Sequence, residues 1–146
     1  MITTWLPPEN IQIVDSVCDW KQAITLAAQP LLEKEAITQA YIQAIFNSHQ
    51  ELGPYYVLAP GLAMPHARPE QGGIKNGLSL LHIKQGISSD SQDNDPIYVV
   101  IMLCAISGNE HINMITALAD IFSNDERLSA LLKASSMEKI QAVING

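Results

Sequence analysis

Ile97-Tyr98-Val99-Val100-Ile101-Met102-Leu103-Cys104-Ala105-Ile106 is the longest apolar run of the chain. It is too short to cross a bilayer, and it lacks the polar alternation of a strand with one wet face. It therefore reads as a buried strand, covered on both sides. Helices packed on each face of a sheet supply such cover, and the rest of the sequence provides them.

Upstream, Gly77 to Lys84 reads as a second strand, separated from the first by an Asp/Ser-rich loop. Ile11-Gln12-Ile13-Val14 and Tyr55-Tyr56-Val57-Leu58-Ala59 are also strand-like. Pro60-Gly61 interrupts the latter before Leu62-Ala63-Met64-Pro65-His66, which predicts a turn at a sheet edge. Trp20, Ala23, Ile24, Ala27 and Leu31 carry helical spacing, with Pro30 near that helix's end. Tyr41, Ile42, Ile45 and Phe46 predict another helix behind a Thr38 cap, stopped by Gly53-Pro54.

Downstream of the apolar run the spacing is helical throughout, with capping boxes expected at Ser107/Glu110, Ser123/Glu126 and Ser135/Glu138. No repeat or linker divides the sequence. The expected fold is a single three-layer α/β domain spanning residues 1–146: a mixed sheet of about five strands flanked by helices, with a helical C-terminal third.

The 146 residues are 47% hydrophobic and 16% charged, a globular composition that excludes a disordered tail. A net charge of −7 without any basic run argues against a nucleic-acid partner. The N-terminal residues do not read as a signal peptide and no apolar stretch is long enough to insert in a membrane, so a soluble cytoplasmic protein is expected. Cys18 and Cys104 lack a metal or redox spacing and read as free thiols.

Chemistry concentrates around His66. Gly61 permits a turn, while Pro65 and Pro69 restrict the backbone and keep a helix from forming across Ala67-Arg68. The imidazole is thus presented from a stiff loop. Neutral imidazole is nucleophilic near pH 7 and a good leaving group once phosphorylated, which suits a phosphoryl relay. Arg68 can offer paired N–H donors to phosphoryl oxygens. His111 falls in the first turn of the helix that follows the apolar strand, where an anion is favoured.

Ala59-Pro60-Gly61-Leu62-Ala63-Met64-Pro65-His66-Ala67-Arg68-Pro69-Glu70 closely resembles the active-site segment of the mannitol/fructose-type enzyme IIA family of the bacterial sugar phosphotransferase system. The resemblance implies a phosphotransferase working through a phosphohistidine. By the same resemblance, His66 is expected to accept phosphate from the histidine phosphocarrier HPr and pass it to a cysteine of enzyme IIB, with the membrane subunit IIC served indirectly. It implies no cofactor or metal. Gly53-Pro54-Tyr55-Tyr56, Gly77-Leu78-Ser79-Leu80 and Asn94-Asp95-Pro96 look like the ascorbate-type branch, which points to ascorbate or a related compound. By position, the family's second active-site histidine corresponds to His111. Arg68 departs from the small polar residues of mannitol-type members, so its role is an expectation for this branch alone.

Other histidines have plainer readings. His82 alternates with Leu78 and Leu80 and reads as a satisfied core or edge residue, while His49 is accounted for by a helix C-terminus. Asp90, Asp93 and Asp95 lack the glycine and distal Glu of a calcium loop and read as solvated. His66 and Glu70 have a spacing of four, but the prolines deny them the helix that a metal pair needs. The functional alternative is a regulatory module whose phosphorylation alters binding to another protein; such regulators usually carry DNA-binding domains, for which this chain leaves no length.

Overall fold

The computed structural model describes residues 2–91 and 93–146. A five-stranded sheet has the order β1 (Ile11–Val14), β4 (Gly77–Ile87), β5 (Ile97–Cys104), β3 (Leu62–Ala63), β2 (Val57–Ala59). The apolar run is the central strand. It pairs antiparallel to β4 and parallel to β3, with Leu80 opposite Ile101 and Leu62 opposite Val99. The sheet is therefore mixed, and the β2–β3 hairpin forms one edge, as Pro60-Gly61 predicts.

Strand β5 feeds both apolar layers by alternation. Val99, Ile101 and Leu103 pack under α1 (Ile2–Trp5), α4 (Gly108–Phe122), α5 (Asp125–Lys133) and α6 (Met137–Asn145). Val100, Met102 and Cys104 pack under α2 (Trp20–Glu33) and α3 (Gln39–Leu52). Each fully buried aliphatic side chain contributes about 1.5–3 kcal/mol, so β5 anchors both layers at once.

Helix α2 runs through Pro30 to Glu33. Proline lacks the N–H that would meet the Leu26 carbonyl, and Gln12 of β1 donates its side-chain amide to that carbonyl instead, at 2.6 Å. The helix interruption thereby becomes a helix-to-sheet tie.

Local chemistry overrides several sequence expectations. Ser107 caps α4, accepting from the Glu110 N–H, but the Glu110 side chain does not reach back to complete the box, and the next two helices begin one residue later. Asn124 caps α5, because Ser123 still holds helical dihedrals at the end of α4, and Ser136 caps α6. Thr38 precedes α3 without capping it; its hydroxyl donates to the Gly72 carbonyl. Strand β4 extends past Lys84 to Ile87, and α1 was not foreseen.

His49 lies in the last turn of α3, as its position predicts, but a helix C-terminus is not its whole environment. It is buried and stacked on Trp20 with ring centroids 3.6 Å apart. Its Nδ1 meets the Tyr56 hydroxyl at 2.6 Å and its Nε2 meets Asp90 at 3.1 Å, so Asp90 belongs to this cluster and is not merely solvated. His82 is buried as expected but half satisfied: Nε2 lies 3.0 Å from the Leu132 carbonyl, and Nδ1 has no partner among the described residues. Cys18 is exposed and Cys104 buried, both as free thiols. None of the described helices is long and apolar enough to cross a membrane.

Candidate functional site

The parallel pair β3 and β5 ends on one side of the sheet, and the chain leaving each strand carries a histidine. His66 follows β3 by three residues; β5 passes through the Ser107 cap into α4, whose first turns place His111. The two imidazole centroids are 5.9 Å apart, with the rings inclined at 57°. Both side chains are partly exposed and line a cleft of about 640 Å³ together with Ser48, Tyr55, Arg68 and Ser107. The structure thus brings together His66, His111 and Arg68.

His66 is held by its own neighbourhood. Its Nδ1 lies 2.9 Å from the Met64 carbonyl oxygen, which can only accept, so Nδ1 carries the proton and donates. In the neutral ring the lone pair is then on Nε2. Tyr55 donates its hydroxyl to the His66 carbonyl at 2.7 Å, and the Ala67 N–H donates to the buried Tyr41 hydroxyl at 3.0 Å.

Between Pro65 and Pro69 the chain has no regular secondary structure, with Arg68 extended, and it then closes in a short 3-10 turn over Pro69–Gln71. The Arg68 N–H donates to Gln71 Oε1 at 2.8 Å, which fixes the backbone at the rim. The Arg68 side chain is exposed, with Nε 3.9 Å from Glu70. Such a pair is held weakly, leaving the guanidinium available at the mouth of the cleft.

On the opposite wall, Gly108 at the start of α4 lines the cleft beside Ser107. First-turn N–H groups lack intrahelical acceptors and the helix dipole is positive here, so the wall favours an anion. The cleft therefore offers a nucleophilic nitrogen, a second imidazole, an available guanidinium and a helix N-terminus around one opening. Among the described residues, no group of three or more His, Cys, Asp or Glu side chains is placed to hold a metal ion.

Tyr41 and Tyr55 escaped the sequence reading. Tyr41 carries only the spacing of a core residue on α3, and Tyr55 reads as part of a strand. Neither position signals a hydroxyl aimed at the loop bearing His66.

This fold and cleft are those of an enzyme IIA domain of the phosphotransferase type. Residues 4–146 match the family described as phosphoenolpyruvate-dependent sugar phosphotransferase system, EIIA 2, and the chain belongs to that family. The mannitol-specific cryptic phosphotransferase enzyme IIA component of Escherichia coli (strain K12) is 41% identical over 144 residues, covering 99% of this chain and 97% of that protein. A solution structure of the mannitol-specific cryptic phosphotransferase enzyme IIA from Escherichia coli superposes with a TM-score of 0.92 at 40% identity, with 99% of each chain covered. The ascorbate-specific EIIA component of Escherichia coli (strain K12) is 32% identical over 138 residues, covering 94% of this chain and 90% of that protein. Identity is thus higher to the mannitol-type protein than to the ascorbate-type one, and these likenesses do not single out ascorbate. A complex of enzyme IIA mannitol with phosphorylated enzyme IIB mannitol from Escherichia coli contains the same fold, with a TM-score of 0.78 at 24% identity and coverage of 94% of this chain and 95% of that one.

Proposed function

We propose that this chain acts as one domain and as a cytoplasmic phosphocarrier: it accepts a phosphoryl group on Nε2 of His66 from phospho-HPr and passes it to a cysteine of enzyme IIB. The observation that carries this reading is the hydrogen bond from His66 Nδ1 to the Met64 carbonyl inside an open cleft. In the neutral ring that bond keeps the proton on Nδ1 and puts the lone pair on Nε2, the atom that attacks phosphorus.

In the first half-reaction the Nε2 lone pair forms a bond to phosphorus while the donor's nitrogen–phosphorus bond breaks. In the second, an enzyme IIB thiolate takes the phosphoryl group and the His66 lone pair returns. Phosphoryl transfer depends mainly on positioning and charge stabilisation. His111 donates to phosphoryl oxygens from one side, the α4 N-terminus favours their charge, and Arg68 closes on them from the rim.

Partner proteins have a surface to meet here. Ile106, in the cleft wall, and Ile112, next to His111, are 46% and 63% exposed, which suits docking of another protein around the histidines. The enzyme IIB partner accords with the Escherichia coli complex of the same fold. The transported compound is recognised by the membrane subunit IIC, beyond this chain's contacts.

Incubation with phosphoenolpyruvate, enzyme I and HPr is expected to label the protein in an acid-labile form, and His66→Ala is expected to abolish the label. A label that survives in the variant assigns the nucleophile elsewhere and refutes the proposal.

A further inference from the structure

We infer that Tyr41 is a positioning residue for phosphoryl transfer, because its hydroxyl stands in for a missing rung of the sheet at His66. The inference rests on the reading of His66 as phosphoryl acceptor.

The register of β3 against β5 pairs Leu62 with Val99 and Ala63 with Val100, so its continuation sets His66 opposite Leu103. A parallel pair bonds the middle residue of one strand to both neighbours of its partner. Leu103 should therefore donate its N–H to the Pro65 carbonyl and accept at its own carbonyl from the Ala67 N–H. The first bond is present at 3.1 Å, the same kind of rung as Val99 N–H to Gly61 carbonyl at 3.0 Å.

The second rung is not direct. Ala67 N–H donates to the Tyr41 hydroxyl at 3.0 Å, and of the two carbonyls within reach of that hydroxyl's proton, Leu103 at 2.6 Å is nearer than Ala67 at 3.1 Å. The hydroxyl is thus inserted between the two strands at the residue after His66. It keeps the buried Leu103 carbonyl and the partly buried Ala67 N–H paired where the strands part beside the cleft, leaving neither as an orphan.

The inserted group is itself enclosed. Tyr41 is fully buried, and burial holds its hydroxyl above the usual tyrosine range, so it remains a donor at any physiological pH. Its ring is backed by Gly73, where a Cβ would come within 3.5 Å of Tyr41 Cε1 and 2.8 Å of Cys104 Sγ. Tyr41 arrives from the α3 layer, whereas alternation sends Leu62, Met64 and then His66 toward the α4 layer that carries His111. The phenol therefore fixes the His66 backbone from behind, and Tyr55 fixes the His66 carbonyl from the solvent side. A loss of about 1 Å in placement of a reacting group is sufficient to slow a reaction by about a hundredfold.

The test is Tyr41→Phe, which keeps the ring and deletes the bridge. At a temperature where the variant is fully folded, kcat for transfer from phospho-HPr is expected to fall about ten- to hundredfold, with KM for HPr within about twofold. Ile45→Val, a buried change on the same helix, serves as the stability control and is expected to leave kcat unchanged. An unchanged kcat in Tyr41→Phe, or an equal fall in both variants, overturns the inference.

Should Tyr41→Phe not fold, the unsubstituted protein supplies the readout by NMR. The Tyr41 hydroxyl proton is expected to exchange slowly, to lie close to the Ala67 amide proton, and to shift when His66 is phosphorylated. A rapidly exchanging hydroxyl, or one indifferent to phosphorylation, overturns the inference. His66→Ala distinguishes the two levels: if it still labels, the functional reading fails; if it does not label but Tyr41→Phe keeps its kcat, only the positioning role fails.

Discussion

Replacing His111 by Ala isolates the charge-stabilising wall of the cleft. The side chain is partly exposed at the end of the first turn of α4, and the cap does not depend on it: Ser107 Oγ accepts from the Glu110 N–H, and the His111 N–H bonds the Ser107 carbonyl at 3.0 Å. Stability should therefore change by no more than about 0.5 kcal/mol, a shift in Tm of about 2 °C or less for a chain of this size. Transfer should change far more. The imidazole centroids are 5.9 Å apart and no hydrogen bond joins the two rings, so a phosphoryl group on His66 Nε2 can come between them and accept from His111. A hydrogen bond to a charged group is worth about 1.5–3 kcal/mol. At about 1.36 kcal/mol per decade, its loss from the transition state slows transfer about 10- to 150-fold. Rapid-quench single-turnover transfer from labelled phospho-HPr measures this directly, with the label still formed because the nucleophile is intact. A rate within twofold of the parent would refute the assignment of His111 to the site.

The hydrogen bond at His66 Nδ1 makes a regiochemical prediction: histidine-labelled phosphoprotein should show nitrogen–phosphorus coupling at Nε2, and a product phosphorylated at Nδ1 would contradict the tautomer argument. For His82, burial holds the imidazole pKa below its usual value of about 6.5. The unfolded chain then binds the proton more readily than the folded one, so His82 leaves stability intact above about pH 6.5 and erodes it as pH falls toward the lowered pKa. Urea unfolding of the parent and His82→Gln at pH 7.5 and 5.5 should show a shallower acid loss in the variant, and parallel losses would refute the sign.

How far the sequence reveals this molecule depends on whether the governing interaction is local. The β5 strand needed only its own composition, and the β2–β3 turn only Pro60-Gly61. Ser107 was legible because no competing cap residue adjoins it. At Ser123-Asn124 and Ser135-Ser136 two cap-forming residues are adjacent, so composition alone does not choose between them; at the first pair the end of α4 takes Ser123 and leaves the cap to Asn124. His66 stood out through its flanking prolines, and His111 through its cap.

What stayed hidden is long-range. Tyr41 is spaced like any core residue, and its partners are 26 and 62 residues away. Trp20 meets His49 only once α2 and α3 pack together, so the stack that buries the histidine has no local sign. Helix α1 is a single turn, too short for a periodic signal.

The direct passage of β5 through Ser107 into α4 makes the spacing from Cys104 to His111 an angular setting. Each residue of a helix turns its side chain by about 100°. Deleting one residue after the cap would swing the imidazole away from the opening while every strand kept its place, whereas lengthening the Asp/Ser-rich segment before β5 would leave its bearing alone. Tolerance to insertion thus differs sharply between the two ends of the same strand.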